Sequence, residues 1–208
     1  MERVIDCHLW LNSDWAYLGA DRLEALARRQ GARVRYLPVD LPAVYARTGG
    51  VLLPLRAIER RRYREIELER WCRRLGLHVN PTPKFMCPDA TLASGLVIAL
   101  GTEGADVAAL CKAILHAQWC EDRDISDPAT LAQVAAACGH DAPALLARAR
   151  SGEVLRAYRD NTERAIAAGV FGSPSYVYRG VLYWGQDRLD FLEEAVAADA
   201  AGRARAHA

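Results

Sequence analysis

The stretch Val4-Ile5-Asp6-Cys7-His8-Leu9-Trp10-Leu11-Asn12-Ser13-Asp14-Trp15-Ala16 decides the fold. Val4 to Leu11 is largely apolar with little alternation, the pattern of a strand buried on both faces. Asn12-Ser13-Asp14 then offers three helix N-cap candidates in a row. The helix they open carries Ala16, Leu18, Leu23, Leu26 and Ala27 on its apolar side, and Gly31 stops it. Val34 to Val39 reads as a second strand. The chain therefore opens β-α-β, two parallel strands joined by a right-handed crossover.

From Asp40 to Ala168 the pattern is helical. After Pro54, the residues Leu55, Ile58, Tyr63, Ile66, Trp71 and Leu75 recur at near four-residue spacing with charges between them, which predicts one apolar helix face. Further helices are expected over 92–100, 106–119, 128–137, 142–150 and 152–168, separated by Pro81-Thr82-Pro83 and by 120–127. After Gly169, Ser175 to Arg179 and Val181 to Trp184 are β-rich and joined through Arg179-Gly180 in a hairpin. Asp187 is expected to cap a last helix through Leu189, Leu192 and Val196, and 200–208 to fray. The order β-α-β, helical block, β-β-α is the thioredoxin-like α/β order. On this reading residues 1–40 and 169–199 form a discontinuous thioredoxin-like domain, and 41–168 an all-helical domain inserted between its halves.

The chain has 208 residues, 51% of them hydrophobic, with 27 Lys+Arg against 26 Asp+Glu. That composition excludes disorder and argues against a general nucleic-acid binder. No apolar run approaches the ~18 residues of a membrane span, and Glu2 and Asp6 stand where a signal peptide needs an apolar stretch. A cytoplasmic protein with no membrane partner is expected. The six cysteines form no CxxC pair and share no metal-ligand spacing with the five histidines, so they are expected to be reduced, mostly buried, and without metal. The run Arg56, Arg60, Arg61, Arg62, Arg64 interleaves with Glu59, Glu65, Glu67 and Glu69, which suits a solvated helix. One of its arginines remains available to an anionic ligand.

Three places carry candidate chemistry. Where the first strand meets the first helix, free N–H groups and the helix dipole favour a thiolate. This chain has Ser13-Asp14-Trp15-Ala16 there, so a dithiol cycle is excluded at that junction, and what remains is a hydroxyl suited to holding another molecule's sulfur. Gly172-Ser173-Pro174-Ser175 precedes the hairpin, and a proline entering a sheet requires a special turn; in thioredoxin-like folds it is cis and the residue before it offers its backbone to an extended thiol peptide. Gln186 and Asp187 open the last helix, where Asp accepts from an ammonium and open N–H groups receive a carboxylate. Trp15, Tyr17 and Trp119 are candidates for an aromatic-substrate pocket.

These residues resemble a family. Trp184-Gly185-Gln186-Asp187-Arg188-Leu189, Gly169-Val170-Phe171-Gly172-Ser173-Pro174 and Ser13 are similar to the motifs of 2-hydroxychromene-2-carboxylate isomerases and kappa-class glutathione transferases, with weaker echoes at Tyr63…Leu68-Glu69-Arg70-Trp71, Thr162 with Ala165, and Trp119…Asp124-Ile125-Ser126-Asp127. The resemblance covers nearly the whole chain. It implies a homodimer that binds glutathione and acts on an aromatic or unsaturated keto-acid small molecule, by reversible addition of the thiolate to a conjugated double bond. It also implies that Ser13 faces the sulfur, that Ser173 offers backbone bonds before cis Pro174, that Gln186 and Asp187 hold the γ-glutamyl end, and that Arg60 meets the glycine carboxylate. A transferase that consumes glutathione and a non-catalytic binding protein are the competing readings. Three positions depart from the family: Asp14 replaces its Pro, Trp10 its acid, and Gly50 the Asn of its Thr-Gly-Asn. An anionic Asp14 beside a thiolate opposes its ionisation unless the carboxylate points away.

Overall fold

A computed structural model describes residues 2–206. Strand β1 (Val4–Leu9) leads into helix α1 (Asp14–Gln30), followed by β2 (Arg33–Pro38). The chain then turns wholly helical through α2 (Leu41–Thr48), α3 (Ile58–Leu75), α4 (Thr91–Gly101), α5 (Ala108–Glu121), α6 (Pro128–Ala137), α7 (Ala142–Ala149) and α8 (Gly152–Ala167). It closes with β3 (Ser175–Tyr178), β4 (Val181–Trp184) and α9 (Leu189–Ala206). The sheet order is β2-β1-β3-β4. β1 runs parallel to β2 and antiparallel to β3, so the crossover and hairpin halves meet on β1. This is the thioredoxin-like α/β arrangement expected from the pattern.

Local chemistry explains the boundaries. Ser13 has extended backbone and accepts the Ala16 N–H at 3.2 Å, satisfying one orphan donor of α1, and Gly31 closes the helix in the left-handed region at φ 55°. Asp40, Asp127 and Asp141 cap α2, α6 and α7 in the same way, each followed by proline in the first turn. Thr162 of α8 accepts the Asp40 N–H at 3.0 Å and anchors the start of α2. One apolar core runs from Ile5, Leu9, Leu18 and Leu23 through Leu68, Leu96 and Ile114. Sheet and helices are therefore packed on a shared interior.

Three expectations need correction. Leu55 lies in a 3-10 turn (Leu53–Leu55) before α3 and is 78% exposed; Ile58, Tyr63 and Ile66 are exposed as well. The 3.6-residue repeat puts Arg64, Leu68, Trp71 and Leu75 on one face of α3, and that face turns inward, with Arg64 and Leu68 buried. The arginine run is thus not uniformly solvated. Asp187 is not a cap: it sits inside a 3-10 turn (Gln186–Arg188) that Gly185 opens, with α9 following. The tail expected to fray from Ala200 continues α9 to Ala206, while His207 and Ala208 lie outside the described residues.

Candidate functional site

The β1–β3 register brings two distant serines together. His8 pairs with Ser175, and the same antiparallel register carried outward sets Trp10 against Ser173. The Trp10 N–H donates to Ser173 Oγ at 2.8 Å. The Ser13 hydroxyl, while capping α1, donates to the Ser173 carbonyl at 3.0 Å across 160 residues of sequence. The Ser173–Pro174 bond is cis, and the Ser173 N–H makes no hydrogen bond among the described residues. Both hydroxyls are thus fixed by backbone, and the Ser173 peptide N–H is left unpaired beside the start of α1.

A cavity of about 60 Å³ opens at this junction, and Ser13, Ser173, Trp10, Trp15, Trp119 and Tyr45 are among its walls. Tyr17 is buried but does not line it. Its polar lining also includes Asn12, Asp14, Arg56, Arg64 and Cys87. Asn12 is 2% exposed; its Nδ2 donates to the Pro88 carbonyl at 2.7 Å, and its Oδ1 has no partner among the described residues. Arg56 spends Nε on the Val51 carbonyl (2.7 Å) and Nη2 on the Tyr45 hydroxyl (3.3 Å). Burial pushes the Cys87 thiol up to about 11, with the Asp14 charge adding to the rise, so this thiol is neutral and not a nucleophile at neutral pH.

Each departure from the family motif has a structural counterpart. The Asp14 carboxylate is turned to Arg64: Arg64 Nε donates to Asp14 Oδ2 at 2.8 Å, Nη2 bonds the same oxygen, and the Trp15 N–H donates to Oδ1 at 2.7 Å. Gly50 leaves room for an aromatic ring, since a Cβ there would meet Tyr45 Cδ1 at 2.0 Å. An asparagine at that position is therefore incompatible with the way Tyr45 walls the cavity. Gly172 similarly admits Trp184, whose Nε1 would stand 2.2 Å from an added Cβ. Trp10 lines the cavity, while the backbone N–H by which it holds Ser173 is independent of its side chain.

The remaining candidates fall elsewhere. Arg60 is exposed and is not part of the cavity wall, whereas Arg56 and Arg64 are. The fold resolves which arginines of this basic run turn inward. Gln186 is buried, and its Oε1 and carbonyl both accept from Arg22 Nη1, at 2.7 and 3.0 Å. Asp187 is exposed and paired with Arg188 at 2.7 Å. The Gly185 N–H donates to the Pro174 carbonyl at 2.9 Å, so this pair begins next to the cis-proline turn without lining the cavity. The sequence marks Arg64 and Arg56 only as members of the arginine run, and Asn12 only as a cap candidate, not as cavity residues. The i,i+4 step from Arg64 to Leu68 was the one sequence signal for the first; nothing comparable marks the others.

A hydroxyl at a helix N-terminus, a free peptide N–H and an arginine beside aromatic walls suit an anionic, peptide-like ligand. Among the described residues no group of His, Cys, Asp or Glu could hold a metal ion, and no helix is long and apolar enough to cross a membrane. The DsbA-like thioredoxin domain model matches residues 5–197. The chain is 32% identical over 195 residues to the 2-hydroxychromene-2-carboxylate isomerase of Sphingobium xenophagum, covering 93% of this chain and 97% of that one. It is 27% identical to the protein of that name from Pseudomonas putida, over 93% and 94% of the two chains. A solved 2-hydroxychromene-2-carboxylate isomerase superposes with a TM-score of 0.79 at 26% identity, over 97% and 98% of the chains. The cytosolic disulfide reductase DsbM of Pseudomonas aeruginosa, at 20% identity and a TM-score of 0.64 over 97% and 98%, shares the fold. The chain belongs to the DsbA-like thioredoxin-domain family, in the group that includes the 2-hydroxychromene-2-carboxylate isomerases.

Proposed function

We propose that this protein is a glutathione-dependent isomerase of 2-hydroxychromene-2-carboxylate or a closely related aromatic-degradation intermediate. The observation that carries the proposal is the Ser13 hydroxyl at the start of α1, hydrogen-bonded to the carbonyl of Ser173 before cis Pro174, inside a cavity with tryptophan walls. The donor set fits a thiol peptide: an unpartnered Ser173 N–H for its backbone, a helix N-terminus for its sulfur, and a guanidinium for its carboxylate. When bound, glutathione supplies a thiolate able to add reversibly to a conjugated double bond.

The chain's own residues do the rest. Ser13 swings its O–H from the Ser173 carbonyl to the sulfur and holds the anionic form. Ser173 and Pro174 align the peptide by edge-strand pairing. Arg56 takes the glycine carboxylate in place of the expected Arg60. Asp187, exposed beside the cis-proline turn, meets the ammonium end, and Gln186 ties the 3-10 turn that carries Asp187 to α1 through Arg22. Trp10, Trp15 and Trp119 exclude water around the aromatic substrate.

The test is ultraviolet-monitored turnover of 2-hydroxychromene-2-carboxylate with and without glutathione. Isomerisation that requires glutathione without depleting it supports the proposal. Stoichiometric depletion assigns a transferase, and equal rates without glutathione refute the cofactor role. For assembly, the proposal is a homodimer, motivated by exposed Leu55, Ile58, Tyr63 and Ile66; sedimentation as a monomer at micromolar concentration contradicts it.

A further inference from the structure

We propose that Arg64 is a positioning residue for the bound thiol: it holds the Asp14 carboxylate in a buried ion pair and so cancels a negative charge that would otherwise stand in the cavity beside Ser13. The inference rests on the glutathione reading above. Asp14 is the first residue of α1, directly after Ser13, where the glutathione reading places the sulfur. An unpaired carboxylate there offsets the positive end of the helix dipole and, as a like charge, disfavours a neighbouring thiolate.

The geometry removes that opposition. Arg64 arrives from the inward face of α3, donates from Nε and Nη2 to one Asp14 oxygen, and ties Nη1 to the Pro81 carbonyl at 3.0 Å. Its guanidinium lies 5.4 Å over the Trp119 ring, which fixes its plane. Asp14 and Arg64 are 5% and 8% exposed, so solvent does not screen them. The charged and titratable groups facing the cavity are Asp14 on α1, Tyr45 on α2, Arg56 ahead of α3, Arg64 on α3 and Cys87 before α4. At Cys87, after burial itself, Asp14 acts upward on the thiol while Arg64 and Arg56 act downward. Both halves of the pair are therefore felt across the cavity, and with opposite sign.

The experiment is a pH titration of the thiolate absorbance of glutathione bound to the full-length protein, read beside the acid limb of kcat/KM. Arg64→Met is expected to raise the midpoint by about one to two pH units, the shift a nearby unpaired charge produces. Asp14→Asn is expected to lower it, and the double variant to return toward the native midpoint. Arg64→Lys, which keeps the charge but not the two-pronged fit, is expected to recover part of the shift. A folded, glutathione-binding Arg64→Met protein with an unmoved midpoint overturns the inference. Where Arg64→Met fails to fold, the comparison of Asp14→Asn with Asp14→Asn/Arg64→Met decides it: the double variant must titrate at higher pH, and equal midpoints refute the role. A native protein with no bound-thiolate signal refutes the glutathione reading and this inference with it.

Discussion

Two stretches carried similar promise as ligand contacts, and the fold treats them in opposite ways. Ser13 and Ser173 meet across 160 residues, share a hydrogen bond and face a cavity. Gln186 and Asp187 part: one is buried with Arg22 as its partner, the other is exposed with Arg188 as its own. The difference teaches that a polar motif is read by what its partners leave over. At the first site the Ser173 peptide N–H and the Asn12 amide oxygen remain unspent among the described residues. At the second the main polar atoms already serve the fold.

The contrast can be broken by substitution. Ser13→Ala is expected to cost the most, on the order of a hundredfold to a thousandfold in turnover, the loss typical of one donor to a developing anion; near-native kcat in the folded variant refutes the role of Ser13. Arg56→Ala is next: calorimetry is expected to show glutathione binding weakened about tenfold or more, as a charge-assisted hydrogen bond is lost, while Arg60→Ala leaves affinity unchanged. Gln186→Leu removes the side-chain acceptor of Arg22 but keeps the backbone one, and is expected to lower stability by about 1 kcal/mol in urea, with kcat preserved. A kinetic defect without destabilisation there makes Gln186 a site residue after all. Asp187→Asn is the smallest, a severalfold weakening at most, because an exposed and already paired carboxylate contributes little.

Stability adds a pH signature in β1. Burial holds the His8 imidazole down to about 4, against about 6.5 for a free histidine. Between those values the unfolded chain binds the proton and the folded one does not, so stability is complete above about pH 6.5 and falls toward pH 4. The expected loss is on the order of 3 kcal/mol, measured as the urea midpoint against pH. A flat profile across that window contradicts a neutral buried His8.

Much of the fold was legible because its signals are local. Ser13, Gly31 and the Asp-Pro helix starts announce element ends in a few residues, and the hairpin over Arg179-Gly180 does the same. The meeting of Ser13 with Ser173 follows once the β-α-β and β-β-α orders imply one sheet. The pairing of Asp14 with Arg64 was hidden, because an ion pair 50 residues apart leaves no periodic trace, and its arginine lay in a run dominated by solvated neighbours. Arg60 stood only on the family resemblance, and the fold instead turns Arg56, just after the turn at Leu53–Leu55, into the cavity wall. Tyr45 taking the space above Gly50 is a packing fact that one residue type cannot announce.

A crystal structure of the protein soaked with glutathione tests the contact between Ser13 and the sulfur. The sulfur is expected within hydrogen-bond reach of Ser13 Oγ, the peptide backbone paired with Ser173, and the Asp14 carboxylate still on Arg64. A sulfur bound away from the start of α1, or a cavity that stays free of ligand at saturating concentration, contradicts it.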